Sequence, residues 1–130
     1  MSAGRSNVDE VLALQTWAVV GLSDNAGRAA YGVAKFLQDR GKRIIPVHPS
    51  AVTVHGEPGY SSVRDITGAV DVVDCFVRSE LVGPVVDDAI AIGAKAVWLQ
   101  LGVVDPTAAT RAEAAGLLVV MNRCPKIEWR

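Results

Sequence analysis

Apolar and polar positions along this chain follow two alternating rhythms. Thr16–Val20, Ile44–Val47, Val70–Val77, Ala96–Leu101 and Leu117–Met121 are short runs that are apolar at nearly every position. Such runs predict strands buried on both faces, the condition of a parallel sheet covered by helices on each side. Between them the apolar residues take helical spacing. Val33, Phe36 and Leu37 stand at i, i+3 and i+4 within Ala30–Arg40, and Gly41 ends that helix. A second helix opens at Ser79 or Glu80, turns Val82, Val85, Val86, Ala89, Ile90 and Ile92 inward, and stops at Gly93. Asp105 followed by Pro106 is an N-cap with proline at the first helical position, so a third helix runs from there to about Ala115, before Gly116. Ahead of the first strand, Ser6 or Asn7 caps a helix within residues 1–15. Asn7 with Glu10 forms a capping box, and Val8, Val11 and Leu12 form the stripe that packs on the sheet.

Strand and helix in strict alternation predict an α/β fold: a Rossmann-like, doubly wound sheet of five parallel strands with helices on both faces, as a single domain over residues 1–130. Right-handed crossovers suit the strand order 3-2-1-4-5, which places the reversal of chain direction, and hence a crevice, between the first and fourth strands. Pro46 is placed at the end of its strand, where pairing stops. Ser50–Gly68 reads as irregular, with one helical turn at Ser62–Ile66, and Lys126–Arg130 as a short closing segment.

Composition narrows the class. A chain of 130 residues that is 50% hydrophobic and 21% charged can build one packed core. Thirteen basic against fourteen acidic residues leave a formal charge of -1, with no footprint for nucleic acid or an anionic membrane. No apolar run approaches the ~20 residues of a bilayer span, and Met1–Glu10 has no secretory pattern. Cys75 and Cys124 form neither a CxxC pair nor a metal-ligand spacing, so a reducing, cytoplasmic setting is expected.

The candidate chemistry lies where strands end. Gly21-Leu22-Ser23-Asp24-Asn25-Ala26-Gly27-Arg28 follows the first strand and precedes a helix, an arrangement that presents backbone N–H groups to a phosphate. Against the dinucleotide fingerprint it has glycine at the first position and Ala26 at the third, but Ser23 at the second. The second strand ends at Val47, His48 and Pro49, where an NAD site would hold a carboxylate for the ribose. No Asp or Glu stands between Lys42 and Gly56, which turns the site away from NAD and towards a phosphorylated adenosine. Lys42 and Arg43 begin that strand, at the wrong end for a ligand, whereas Val77 and Arg78 leave the third strand at the right one. Gln100, Leu101 and Gly102 leave the fourth. Asp71 and Asp74, three apart in a strand, fall on opposite faces and make no catalytic pair. Asp74, inside an apolar run, requires hydrogen-bond partners, and Cys75 is an inert core thiol. His55 is a loop residue. No nucleophile elbow and no Walker lysine follow the glycine turn. Cys124, between Arg123 and Lys126 beyond the last strand, is a candidate redox thiol.

These pieces resemble, in order, the small stand-alone CoA-binding proteins, whose fold is like the N-terminal domain of the succinyl-CoA synthetase α subunit. The resemblance rests on Val20-Gly21-Leu22-Ser23 with Arg28, Ile45-Pro46-Val47-His48-Pro49, and Val70-Asp71-Val72-Val73-Asp74 with Arg78-Ser79-Glu80. It continues through Gly93-Ala94-Lys95, Val97-Trp98-Leu99-Gln100-Leu101-Gly102-Val103, and Val119-Val120-Met121-Asn122-Arg123-Cys124 with Lys126-Ile127-Glu128. It implies coenzyme A or a short acyl-CoA across the strand C-termini. The diphosphate would lie at Gly21, Leu22, Ser23 and Arg28, the adenosine at Val47, His48, Pro49 and the Val77–Arg78 exit, and the pantetheine arm at Gln100, Leu101 and Gly102. The chain departs from the family pattern at Ala29-Ala30 (often Pro-Ser), His48 (Asn), Val77 (a second Arg) and Asn122 (Asp). The resemblance implies binding and supplies no reaction, so the expected role is a regulatory or carrier module, as a homo-oligomer or with a protein partner. Two alternatives remain open at this point: a thiol-redox protein that forms a mixed disulfide with CoA through Cys124, and a small NAD-dependent enzyme.

Overall fold

The computed structural model describes residues 3–130, with side chains from Asn7 onward. The expected alternation is present. In chain order it runs α1 (Ala3–Leu12), β1 (Thr16–Val20), α2 (Ala29–Asp39), β2 (Arg43–Val47), β3 (Val72–Cys75), α3 (Ser79–Ala91), β4 (Ala96–Leu99), α4 (Pro106–Ala114), β5 (Leu118–Met121) and α5 (Pro125–Glu128). A single 3-10 turn, Val63–Asp65, occupies the irregular stretch before β3. Asp105 caps α4 as its sequence predicts, its Oδ1 accepting the Ala108 N–H at 3.0 Å. The N-terminal capping box does not form. Asn7 already lies inside α1, which reaches back to Ala3, and the Ser6 side chain is outside the described residues. Val8, Val11 and Leu12 are nonetheless buried, as their spacing requires.

All five strands are parallel, but their order is β2-β1-β3-β4-β5. The expected order 3-2-1-4-5 is therefore corrected: β3 pairs with β1 and β2 is the edge. Both orders obey the right-handed crossover rule and each is a common doubly wound arrangement. Here the reversal of winding falls between β1 and β3. The edge position also accounts for Pro46, which is among the last residues of β2, as expected, and lies opposite Val19. Ladder bonds to β1 involve Arg43 N–H and Val47 C=O, so the alternate residue Pro46 presents its backbone away from β1. Its carbonyl there accepts the Tyr60 N–H at 2.9 Å, and a missing donor is harmless at an edge.

Strand alternation divides the core between two faces. Val73, Cys75, Val97 and Leu99 pack with Val82, Val86 and Ala89 of α3 and with Ala108 and Ala112 of α4. On the other face Trp17, Val19, Val72 and Trp98 pack with α1 and with Val33, Ala34 and Leu37 of α2. The two indoles meet across β3 with centroids 5.7 Å apart, and their N–H groups donate to Leu14 O at 2.9 Å and Arg123 O at 2.7 Å. At the entrance of β3, Asp71 accepts the N–H groups of Gln15 and Thr16 at 3.2 and 3.0 Å and pairs with Lys95 at 3.5 Å. Partial burial alone would raise its pKa, but these donors outweigh it and draw the carboxyl below its ordinary value.

Gly21 ends β1 at the reversal point, with φ +96°. A Cβ there would collide with the carbonyl oxygen of Phe76, at the exit of β3. Gly116 has a similar φ of +90° but open space around it. Gly21→Ala is expected to cost about 2 kcal/mol or more, from unfavourable φ plus overlap, and Gly116→Ala about 1 kcal/mol from φ alone. Urea unfolding of the two variants checks this, and equal midpoints would remove the overlap from the account.

Candidate functional site

Because β2, β1, β3 and β4 are neighbours in that order, the four loops leaving them line up along one edge of the sheet. Two cavities open there. The larger, about 690 Å³, is bounded by Arg28 and the first turn of α2, by Phe76, Val77 and Arg78 beyond β3, and by Gln100 and Leu101 beyond β4. The smaller, about 390 Å³, adds Ser23, Val47, His48, Pro49 and Ser61. Gly21, Arg28, Phe76, Val77 and Leu81 border both, so the two form one crevice running from β2 to β4. Its centre is the β1/β3 reversal, where open α/β sheets hold ligands. The expected crevice between the first and fourth strands is thereby relocated, since β3 lies between them.

Ten of the twelve sequence-predicted site residues border this crevice. Leu22 does not: it is fully buried, anchoring the turn in the core below. Gly102 does not either. Its N–H donates to Asn122 Oδ1 at 2.8 Å and its carbonyl accepts from Ser79 Oγ at 3.2 Å, which secures the β4 loop from outside. Phe76, Leu81 and Ser61 border the crevice without having been singled out from the sequence. Phe76 was legible as a strand-exit residue beside Val77. Leu81 was not, because its inward approach depends on where α3 begins.

The glycine turn is held by its own side chains. Ser23 Oγ accepts the Asn25 N–H at 3.3 Å, and Asn25 Oδ1 accepts the Gly27 N–H at 3.0 Å. Arg28, at the N-cap of α2, makes no side-chain cap, so the positive end of that helix faces the crevice uncovered. The Arg28 and Arg78 side chains are both exposed there. His48 Nδ1 accepts the Ser50 N–H at 3.1 Å and lies 2.8 Å from Ser50 Oγ. The neutral ring therefore carries its proton on Nε2.

Other expectations find their places outside this site. His55 is indeed a loop residue, with its ring on Tyr31 at 4.3 Å and its Nε2 2.9 Å from Tyr31 O. Arg43, the first residue of β2, and Lys42 lie at the opposite end of the sheet. Lys42 is half-buried near the Trp129 ring rather than solvated, and burial lowers its pKa. Cys75 is fully buried, its thiol pKa pushed upward by burial and then by neighbouring Asp74. Cys124 was expected near the surface. It is the N-cap residue of α5, is buried in the core on the α1/α2 face and borders neither cavity. Arg123, expected to activate that thiol, pairs instead with Glu128 at 3.3 Å.

Three buried side-chain oxygens lack a hydrogen-bond partner among the described residues: both carboxyl oxygens of Asp74, and Oε1 of Gln100. The partners that Asp74 was expected to require are absent. In the ladder it lies between Val19 and Trp98, on the face roofed by the two indoles. Burial pushes its pKa well above the ordinary value and so favours the protonated acid. Gln100 follows Trp98 by two residues, at the crevice floor and only 5% exposed. The residue borders the larger cavity while its Oε1 is shielded from solvent.

The model of one family, described as a CoA binding domain, matches residues 15–130. The YneT protein of Bacillus subtilis (strain 168) is 37% identical over 110 residues, covering 85% of this chain and 82% of its own. A protein of Pyrococcus horikoshii OT3 superposes with a TM-score of 0.89 at 36% identity, over 97% of this chain and 89% of that one. The dinucleotide-forming acetyl-coenzyme A synthetase 1 of Ca. Korarchaeum cryptofilum shares the fold with a TM-score of 0.76 at 23% identity. There the match covers 88% of this chain but 28% of the synthetase. No described helix is long and apolar enough to cross a membrane.

Asp74 makes a pH dependence testable. An acid whose pKa is raised on folding holds a proton that the unfolded chain has released. Its contribution to stability therefore falls as pH rises from the ordinary carboxylate range towards the folded pKa. Asp74→Asn keeps the shape of the protonated acid and has no proton to lose. Urea midpoints from pH 5 to pH 8 should show the variant gaining steadily on the wild type. A constant difference across that range would mean that Asp74 ionises in the folded protein.

Proposed function

We propose, for a chain that belongs to the CoA-binding domain family, that the crevice along the β2, β1, β3 and β4 exits binds coenzyme A or an acyl-CoA, as a regulatory or carrier module without a reaction of its own. The observation that supports this most is the continuity of the crevice, with two arginines and an uncapped helix end at its middle. A diphosphate suits that middle: the α2 N-terminus offers N–H groups and a partial positive charge, and Arg28 and Arg78 offer full charges. The adenosine suits the smaller cavity, between Val47, Pro49 and His48. The absence of a carboxylate beside His48 removes the repulsion that a ribose phosphate would otherwise meet. The pantetheine arm then runs past Leu81 towards Gln100 and Leu101.

The two departures nearest the phosphates fit a tighter reliance on Arg28. Val77, where the family often has arginine, is a half-buried apolar wall of both cavities, and Ala30, where it often has serine, is buried in the first turn of α2. The remaining cations therefore take a larger share of the phosphate interaction.

Isothermal titration should give binding with CoA and none with NAD. Arg28→Ala should weaken CoA about tenfold or more, the scale of one lost charge-assisted hydrogen bond, with the melting temperature unchanged because Arg28 is exposed. Binding of NAD in place of CoA, or undiminished CoA affinity in Arg28→Ala, would overturn the reading.

A further inference from the structure

The β4 end of the crevice differs in character from its middle. Beyond Arg28 and Arg78 its walls are Leu101 and Val103, with Leu81 at the boundary shared with the smaller cavity, and the polar side chain there is Gln100. Leu101 is 56% exposed, Leu81 53% and the adjoining Val104 42%. Leu81 and Leu101 are thus two exposed leucines on the rim of one cavity, whereas Val104 borders neither cavity.

The β4 loop is held by hydrogen bonds on two sides. The turn closes through Val103 N–H to Gln100 O at 2.9 Å. Ser79 Oγ then clamps it from α3, donating to Gly102 O at 3.2 Å and accepting the Val104 N–H at 2.9 Å. Asn122 Oδ1 takes the Gly102 N–H at 2.8 Å from the far side. Leu101 is thus displayed by a loop pinned from two directions.

We infer that this rim is a site for an apolar acyl group, so that the protein takes an acyl thioester of CoA in preference to the free thiol; the inference rests on reading the crevice as a CoA site. The pantetheine arm's thiol end would lie beside Gln100, which borders this cavity. What lies beyond the arm's last amide then reaches Leu101 and Leu81. A free thiol covers little of them. A short hydrocarbon chain covers them and is itself removed from water. An acyl group ending in a carboxylate would have to desolvate its charge against leucine and valine, which opposes binding.

Titration with CoA, butyryl-CoA and succinyl-CoA separates these cases, since the two acyl groups have equal carbon counts and differ in charge. Butyryl-CoA is expected to bind about fivefold tighter than CoA, the gain from partial burial of a three-carbon chain, and succinyl-CoA no tighter than CoA. In Leu101→Ser, an exposed position where folding is safe, the ratio of butyryl-CoA to CoA affinity should fall towards one. Equal affinity for CoA and butyryl-CoA, a gain with succinyl-CoA as large as with butyryl-CoA, or an unchanged ratio in Leu101→Ser would each overturn the acyl site and leave CoA binding intact. Failure of all three compounds to bind would overturn both readings.

Discussion

The close approach of Gly21 to the Phe76 carbonyl is the constraint on which the rest of this structure depends. It joins the exits of β1 and β3 at the one place where the winding of the sheet reverses. To one side the chain climbs into α2, and to the other into α3. The space left between those helices is the crevice. A side chain at residue 21 would push the two exits apart, and the turn carrying Ser23 and Arg28 would lose its seat. The adjoining backbone supports this junction, with Gly21 N–H on Val47 O at 2.7 Å and Phe76 N–H on Val20 O at 2.9 Å.

Several groups in this region are placed where stability alone would not put them. Asp74 is buried without a partner among the described residues, and burial there favours its protonated form. Gln100 Oε1 is desolvated without a donor, and Leu81 and Leu101 stand in water. Each costs stability in a domain whose two faces are otherwise well filled by valine, leucine, alanine and tryptophan. Local rules fail most often at sites shaped for a ligand. Gln100 and the two leucines border the crevice proposed to hold the ligand. Asp74 lies beneath it and borders neither cavity.

Legibility in the sequence followed the range of the interactions concerned. The strands were readable as apolar runs, because burial on both faces leaves a mark at every residue. The Asp105-Pro106 start of α4 was readable because capping is local. Most of the crevice was readable as well, since any loop leaving a parallel strand at its C-terminal end must arrive at the same edge. Leu22 and Gly102 were the exceptions, each belonging to the right loop but turned away from the cavity. Cys124 was misjudged for a similar reason: lying beyond a strand end does not imply exposure, and this residue, the N-cap of α5, is buried in the core.

By itself the sequence determined the number and type of the elements, the parallel sense of the sheet, the edge at which a ligand would sit and the family likeness. All of these arise from periodicity, turn residues and chain connectivity within a few tens of residues. Strand order was decided only in the tertiary structure. Handedness permits β3 on either side of the β2–β1 pair, and the choice depends on packing among residues far apart in the chain. Everything that follows from that choice was settled with it: the shift of the crevice to the β1/β3 junction, the harmless edge position of Pro46, the isolation of Asp74 between Val19 and Trp98, and the alignment of four loops into one continuous groove.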